Sequence, residues 1–398
     1  MIDSEPKLFL DDDERSRQAY LVSTETDRDT SIRQRLVDRL LLSQAPGIGP
    51  TILAALLDQF GSPVNVLAAS LDELRGVPGV GPKLANVIHH AREHVDVDSI
   101  IKWCDSNGVS LLSSDTDEYP EMLLDIIDAP PVLFVRGEIL PQDSFAVAIV
   151  GTRHATVYGR NQANRIAFGL AKAGVTVVSG MARGIDTAAH QGALDAGGRS
   201  IAVFGCGHAH IYPPENEGLA DAIAADGALV SEYAPHVSPR GGLFPQRNRI
   251  ISGLTHATLV IEAPNRSGSL ITARTASEQG RDVLALPGNV DNRNSQGTNQ
   301  LIRDGAKLIR NVDDILECLG PFARGVVTAE GREIRKPAEV LLNERERHVL
   351  DCIETTPTSI DHVVTTSQLA VQHVLATISS LELRKLIRRL SSQYVSRV

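Results

Sequence analysis

A short segment near the middle of the chain, 244–250, combines side chains that could bind a nucleic acid. It reads FPQRNRI, so Phe244 precedes two arginines, Arg247 and Arg249, that flank Asn248. An aromatic ring can stack on a base, and a guanidinium can bind a phosphate through two parallel hydrogen bonds. The same residues would also form an ordinary basic helix start. The segment alone favours neither interpretation.

The elements around this segment follow an alternating pattern that predicts an α/β fold. Short apolar runs end in a small residue and are followed by a helical pattern, which indicates βαβ units and a buried parallel sheet over about 110–320. We expect a Rossmann-like core. Its predicted strands are 145–150, 175–178, 201–204, 229–230, 258–261, 283–286 and 308–309.

The turns after these strands contain residues suited to binding anions. Small residues let a phosphate approach the backbone, and helix N-termini direct partial positive charge to the same edge of the sheet. The first turn lacks the GxGxxG fingerprint, which disfavours a nicotinamide-dependent enzyme. The turns that form the predicted anion site are Gly151-Thr152-Arg153, Ser179-Gly180 and Arg266-Ser267-Gly268-Ser269.

Taken together, the ordered motifs resemble the DNA-processing protein A family (DprA, also called Smf). The motifs that carry the resemblance are GTR at 151–153, SGMARGIDTAAH at 179–190, FPQRNRIISGL at 244–254 and SGSLITARTASEQGRDVLALPG at 267–288. The resemblance implies a homodimeric protein that binds single-stranded DNA. It also implies that the protein protects incoming DNA during natural transformation and helps to load the RecA recombinase.

The resemblance also suggests roles for individual residues. Arg153 would clamp a phosphate, with donors from the Gly151 and Ser179-Gly180 turns. Phe244 would lie against a base. The other positions expected at the DNA site are Thr152, Arg247, Asn248, Arg249, Arg266, Ser267, Gly268 and Ser269.

The segments on either side of this core predict two smaller domains. Residues 1–30 are charged and predict a disordered acidic head, followed by a helical domain over 31–109. Within the helical domain, 45–50 and 76–82 repeat a Pro-Gly-hydrophobic-Gly-Pro turn that resembles the helix-hairpin-helix motif. Such a turn binds a phosphate through backbone N–H groups, or it is a helical packing module.

Towards the C-terminus, 321–337 predict a linker and 338–398 a winged-helix-like domain. Three short helices precede a possible small hairpin. A cationic cluster near its end would contact DNA, face solvent or bind a protein. The cluster consists of Arg384, Lys385, Arg388 and Arg389.

Composition limits the remaining possibilities. The net charge of −10 argues against indiscriminate coating of nucleic acid, but it permits a local site. Four scattered cysteines, an acidic N-terminus and the lack of a membrane-spanning apolar run predict a cytoplasmic protein. We expect no cofactor and no metal site, because His208 and His210 lack neighbouring ligands.

One enzymatic alternative competes with DNA binding. The region 267–278 is also similar to the phosphate-binding edge of lysine-decarboxylase-like nucleotide phosphoribohydrolases, with Glu262, Arg274 and Glu278 as candidate catalytic residues. The chain has Ser-Gly-Ser where those enzymes have a compact glycine loop, which counts against this alternative. Asp186 and His190 stand one helical turn apart, and we expect them to fix the loop rather than form a catalytic dyad.

Overall fold

The computed structural model describes residues 32–320, 326–327, 333–334, 344–354, 356–383, 386–390 and 393–397. The predicted acidic head, most of the predicted linker, Arg384 and Lys385 lie outside the described residues. The chain divides into two compact units. One contains the residues up to Tyr119 and Ile127–Phe134, and the other contains Pro120–Ile126 and the chain from Val135 onward.

The first unit is mainly helical. Buried leucines, valines and isoleucines, including Leu56, Leu74 and Ile88, join its short helices in one apolar cluster. This unit also includes 110–119, which the sequence assigned to the Rossmann-like core. Its elements are α1 (32–43), α2 (Pro50–Phe60), α3 (Pro63–Ala68), α4 (Leu71–Arg75), α5 (Pro82–His89), α6 (Ala91–His94), α7 (Val97–Ser106) and β1 (Val109–Ser113).

Two equivalent glycine turns confirm the predicted helix-hairpin-helix repeat. Gly47 has a φ of +89° and Gly79 a φ of +86°, which is the left-handed region that side chains other than glycine rarely adopt. In each turn a second glycine precedes a proline at the start of a helix, α2 or α5. Proline suits this position because the first helical N–H has no partner within the helix.

The second unit contains seven parallel strands that pair in the order β6-β5-β4-β3-β7-β8-β9. The strand order reverses between β3 and β7, and ligands of open parallel sheets bind at such a reversal, beyond the carboxyl ends of the strands. Strand β2 (Val132–Gly137) precedes them in the chain. The seven are β3 (Ala146–Val150), β4 (Thr176–Ser179), β5 (Ser200–Val203), β6 (Ala228–Ser231), β7 (Ala257–Val260), β8 (Asp282–Ala285) and β9 (Lys307–Leu308).

Helices alternate with these strands, as the apolar pattern predicts. Every residue of β3, AVAIV, is buried, as expected for a parallel strand covered on both faces. Small helix residues such as Ala163 and Ala189 pack in the same core as Ile149 and Leu259. The helices are α8 (Glu121–Leu124), α9 (Val157–Lys172), α10 (Ile185–Asp195), α11 (Glu217–Asp226), α12 (Leu243–Gly253), α13 (Gly268–Glu278), α14 (Gln296–Arg303) and α15 (Val312–Cys318).

The C-terminal residues form the predicted three helices and wing. Strands β12 and β13 both pair with β14 in antiparallel orientation, and a separate cluster including Val363, Ile378 and Val395 forms the core. The elements are β10 (Val326–Val327), β11 (Glu333–Ile334), α16 (Glu344–Asp351), β12 (Thr358–Ser359), α17 (Ile360–Ser367), α18 (Val371–Leu383), β13 (Ile387–Arg389) and β14 (Tyr394–Arg397).

Across the described ranges, no helix is both long and apolar enough to cross a membrane.

A buried ion pair joins the amino ends of β3 and β5, the two strands on either side of β4. The Asp143 carboxylate accepts hydrogen bonds from Nε and Nη2 of Arg199 at 2.8 and 2.7 Å, and from Thr176 Oγ1 at 2.7 Å. The Asp143 side chain is 1% exposed and that of Arg199 is 19% exposed. Removal of one partner would leave a buried charge without compensation, which is far more costly than the loss of a surface pair.

We therefore predict that Asp143→Ala lowers the free energy of unfolding of this unit by about 3–5 kcal/mol. Asp221→Ala is the matched control, because Asp221 pairs with Arg136 at the surface, where the two side chains are 58% and 37% exposed. Its loss costs about 1 kcal/mol or less. Urea unfolding followed by circular dichroism measures both. Equal losses of unfolding free energy in the two variants would contradict the structural importance of the Asp143–Arg199 pair.

Candidate nucleic-acid interface

A pocket of about 400 Å³ lies where the strand order reverses. The turn after β3, the turn after β7 and the first half of α12 form its walls. Ten of the thirteen predicted site residues line it: Gly151, Thr152, Arg153, Phe244, Arg247, Asn248, Arg266, Ser267, Gly268 and Ser269. The sequence thus located the pocket through turns that are far apart in the chain.

The turn after β3 is held rigidly by its backbone. The Thr152 N–H donates to the Glu262 carbonyl at 2.8 Å, and the Ile185 N–H donates to the Thr152 carbonyl at 3.4 Å. A Cβ atom at Gly151 would collide with the Ile185 side chain, so the close packing of this turn requires glycine. The backbone N–H of Thr152 is therefore engaged, and the turn contributes mainly the Arg153 side chain to the pocket.

Arg153 and Phe244 form one unit at the pocket wall. The Arg153 guanidinium carbon lies 5.3 Å from the Phe244 ring centroid, within cation–π distance, and Arg153 is exposed. The ring also packs 5.4 Å from that of Tyr212, and a Cβ atom at Gly205 would approach it to 2.7 Å. Phe244 is accordingly half-buried, and its contacts orient Arg153.

Arg247 is almost completely buried beneath the pocket. Its Nη2 donates to the Gly180 carbonyl at 2.8 Å, and burial lowers the pKa of its guanidinium. A Cβ atom at Gly180 would overlap this guanidinium, which explains the need for glycine after β4. Gly180 therefore acts by accommodating Arg247, and it does not itself line the pocket.

Arg249 and Ser179 are positioned differently from the sequence prediction. The two Nη atoms of Arg249 donate to the Glu232 carboxylate, at 3.0 and 2.6 Å, and the two side chains are 7% and 11% exposed. The Ser179 hydroxyl is buried and donates to the Ile149 carbonyl at 2.6 Å. Neither side chain lines the pocket, and both have partners within the fold, so their predicted contact with phosphate stays a prediction that this geometry does not favour.

The turn after β7 starts α13 and supplies the opposite wall. Ser267 caps this helix, since its hydroxyl accepts from the Ser269 N–H at 3.3 Å and lies 2.7 Å from the Ser269 hydroxyl. Arg266 is exposed beside it. Within the described part of the chain, no ion-pair partner is found for either Arg266 or Arg153. An anion at this helix start would meet N–H groups and two available guanidinium groups.

Asp186 is the one carboxylate among the residues that line the pocket. It is 5% exposed, and burial raises its pKa to about 6, against the opposing influence of the nearby Arg247 and Arg153 charges. Its Oδ2 accepts from the Ala182 N–H at 3.3 Å. With three arginines and one aspartate, the lining carries a formal charge of +2 when Asp186 is ionised, although the whole chain carries −10.

His190 does not form the predicted pair with Asp186. Its Nδ1 bonds to the Ser200 hydroxyl at 2.7 Å, and that hydroxyl donates to the Val177 carbonyl at 2.9 Å. Nδ1 therefore carries the proton. Burial lowers the pKa of His190 to about 3, so the ring stays neutral and has a structural role.

The residues proposed for a phosphoribohydrolase are also engaged elsewhere. Glu262 is buried and accepts from the Thr156 N–H at 2.9 Å and the Thr156 hydroxyl at 2.6 Å. A Cβ atom at Gly159 would overlap its carboxylate. Arg274 and Glu278 form an exposed pair along α13, outside the pocket. The geometry does not favour this enzymatic alternative.

The two histidines of the HxH sequence have ordinary packing roles. The His208 ring lies 5.5 Å from that of Phe204, and His210 Nε2 lies 3.3 Å from the His236 carbonyl oxygen. Over the described residues, no group of three or more His, Cys, Asp or Glu side chains is arranged to hold a metal.

Several pocket residues were missed by sequence reasoning. His154 directly follows the GTR motif, and Asp186 lies within the SGMARGID run, so adjacency to known motifs was an available signal. Thr272 lies within the motif at 267–288 and Pro264 two residues before Arg266, so the same signal was available for both. Gly241 lines the pocket just before α12 begins.

Comparisons with known proteins agree with the fold. The family model described as DNA recombination-mediator protein A matches residues 110–320. A SAM-like helix-hairpin-helix tandem matches residues 39–91, and the DprA winged helix domain matches residues 334–393. These ranges fall on the Rossmann-like sheet, the two glycine turns and the C-terminal wing.

Individual relatives extend over most of the chain. Protein Smf of Synechocystis sp. is 35% identical over 379 residues, covering 87% of this chain and 95% of that protein. The DNA processing protein DprA of Bacillus subtilis is 40% identical over 237 residues, covering 59% of this chain and 75% of the relative. The X-ray structure of DprA from Streptococcus pneumoniae superposes with a TM-score of 0.60 at 36% identity, covering 71% of this chain and 96% of that one. The chain therefore belongs to the DNA-processing protein A (DprA/Smf) family.

Proposed function

We propose that this protein binds single-stranded DNA in the pocket at the β3/β7 reversal and acts without catalysis of its own. In this role it protects incoming DNA and helps to load the RecA recombinase during natural transformation and recombination. The supporting observation is that Arg153 and Arg266 are exposed beside the start of α13, with no ion pair to either in the described residues. Single-strand binders combine such phosphate contacts with aromatic surfaces.

The buried arginines, Arg247 and Arg249, have a structural role in this proposal. Arg247 contributes charge from beneath the pocket while it holds the Gly180 turn in place. Asn248 is half-buried at the pocket wall, where its amide can bind a phosphate or a base edge. Substitutions at Arg247 and Arg249 would disturb folding, so exposed arginines give the cleaner test.

We predict that Arg153→Gln and Arg266→Gln each weaken binding of a single-stranded oligonucleotide by about 1.5–3 kcal/mol, roughly tenfold or more. Each should also reduce the slope of log affinity against log salt by about 0.7, the value expected per phosphate contact on a single strand. Fluorescence anisotropy at several salt concentrations measures both quantities.

Arg274→Gln is the control for that experiment. Arg274 lies on α13, the helix that Ser267 caps. Its side chain is 80% exposed and pairs with Glu278 outside the pocket. Its affinity and salt slope should equal those of the wild type. If Arg153→Gln and Arg266→Gln also behave as wild type, DNA does not bind in this pocket.

The buried Asp186 carboxylate makes the proposed binding dependent on pH. Its pKa is raised to about 6, so the group is ionised above that pH and repels phosphate. As pH falls through 6 the carboxyl takes up a proton, the pocket loses a negative charge, and DNA affinity rises. Bound phosphate raises the same pKa further, because linkage is reciprocal. The other charged or titratable groups near Asp186 are Arg247, Arg153 and His154.

We predict that Asp186→Asn binds DNA more tightly than the wild type above pH 7 and shows a flatter rise in affinity on acidification. Imidazoles also change charge in this range, so the comparison uses a His154→Gln background. Asparagine keeps an oxygen that can accept the Ala182 N–H. Anisotropy titrations across about pH 5–8 measure the effect. Parallel pH profiles for the two proteins would rule out this role of Asp186.

The homodimer and the RecA contact remain proposals that rest on the family resemblance. We also propose a cytoplasmic location, because the four cysteines are all free, as expected in a reducing compartment.

We predict a dimer mass by light scattering at micromolar concentration. We also predict that the protein accelerates RecA filament formation on single-stranded DNA. A monomer at every concentration, or unchanged filament formation, would contradict the respective proposal.

A further inference from the structure

The pocket is too small to hold all of a strand that is bound tightly. Its volume is about 400 Å³, near the lower end of the range for small-molecule sites. Single-strand binding folds contact about 4–16 nucleotides. If the proposed function holds, most of the bound strand must therefore lie on surface next to the pocket.

On the β5 side of the pocket, two side chains suited to a strand, Arg183 and Tyr212, are already engaged. Arg183 forms an ion pair with Glu215, and its Nη2 lies 2.9 Å from Glu215 Oε2. The Tyr212 ring packs against Phe244. These contacts make Arg183 and Tyr212 less available to a strand.

Next to the other side of the pocket lies the loop after β8. The Asn294 Nδ2 donates to the His154 carbonyl at 3.1 Å, and the Ala263 N–H donates to the Asn294 carbonyl at 2.7 Å. The loop is thereby attached to two segments of the pocket wall. Arg293 is exposed on it, and the structure shows no ion pair for this side chain within the described residues.

The first turn of α9 adjoins the same region. Tyr158 is 52% exposed and lies four residues after His154, so their Cα atoms are at most about 14 Å apart. Thr156, which caps this helix, is bound through its N–H and hydroxyl to Glu262. The turn is therefore rigid, and it presents an aromatic ring to solvent.

We propose that single-stranded DNA leaves the pocket past His154, stacks a base on Tyr158 and places a phosphate on Arg293. This inference rests on the proposed function and extends it by a second contact surface. A rigid exposed ring near free guanidinium groups is the combination that binds a strand without sequence preference. Exposed valines at positions 157 and 290, 65% and 77% exposed, add apolar surface.

Oligonucleotide length provides the test, because only a long strand can reach both surfaces. We expect Tyr158→Ala to weaken binding of an oligothymidylate of about 16 nucleotides by about fivefold or more. Its affinity for an oligothymidylate of about 4 nucleotides should not change. Tyr158→Phe keeps the ring and should retain wild-type affinity. Arg293→Gln should reduce the salt slope for the long oligonucleotide by about 0.7.

The controls lie on the same helix, farther from the pocket. Phe168 is 39% exposed in α9, and Arg165 lies one turn earlier, where it bonds to Gln162. Phe168→Ala and Arg165→Gln should bind both lengths as the wild type does. Wild-type affinity of Tyr158→Ala for the long strand, or equal loss at both lengths, overturns the inference. Failure of the wild type to bind either length would instead refute the proposed function itself.

Discussion

The buried guanidinium of Arg247 is the interaction on which the pocket depends. It links α12 to the turn after β4 through the Gly180 carbonyl, and it faces the Asp186 carboxylate at the start of α10. Three segments from different parts of the chain are thus held by one cation. Because a buried charge is costly unless it is compensated, this arrangement requires glycine at 180 and a polar group at 186.

The arginines of this unit divide into two classes by burial. Arg199, Arg247 and Arg249 have partners within the fold and maintain its geometry. Arg153 and Arg266 are exposed at the pocket and have no ion pair among the residues described. Only the second class can exchange water for phosphate without breaking an internal contact. Phe244 orients Arg153, because its own ring is fixed against Gly205.

This division explains how a chain with a net charge of −10 can contain an anion site. Two acidic residues of neighbouring segments are paired, Glu232 with Arg249 and Glu215 with Arg183, and Asp186 is the one carboxylate among the residues that line the pocket. The reversal of strand order then brings an exposed arginine on either side of one helix start. In the proposed function, a local field of this kind would guide a strand to one crevice, while the overall negative charge would discourage nonspecific coating.

The sequence by itself determined the order of the elements, the α/β class and the turns that form the pocket. These features are local, because strand and helix periods and the small residues after each strand are visible within a few residues of each other. The two helix-hairpin-helix turns and the C-terminal wing were predictable for the same reason. Motif adjacency also selected ten of the residues that line the pocket.

Tertiary structure alone decided which of those residues are available to a ligand. The sequence treats Arg247 and Arg249 as equivalent to Arg153, but their partners lie 67 and 17 residues away in the chain. The Ser179 hydroxyl likewise donates its hydrogen bond to a carbonyl on the neighbouring strand. Burial and pairing depend on contacts between distant segments, and no local pattern in the chain records them. The same long-range packing places β3 beside β7 and thereby creates the crevice.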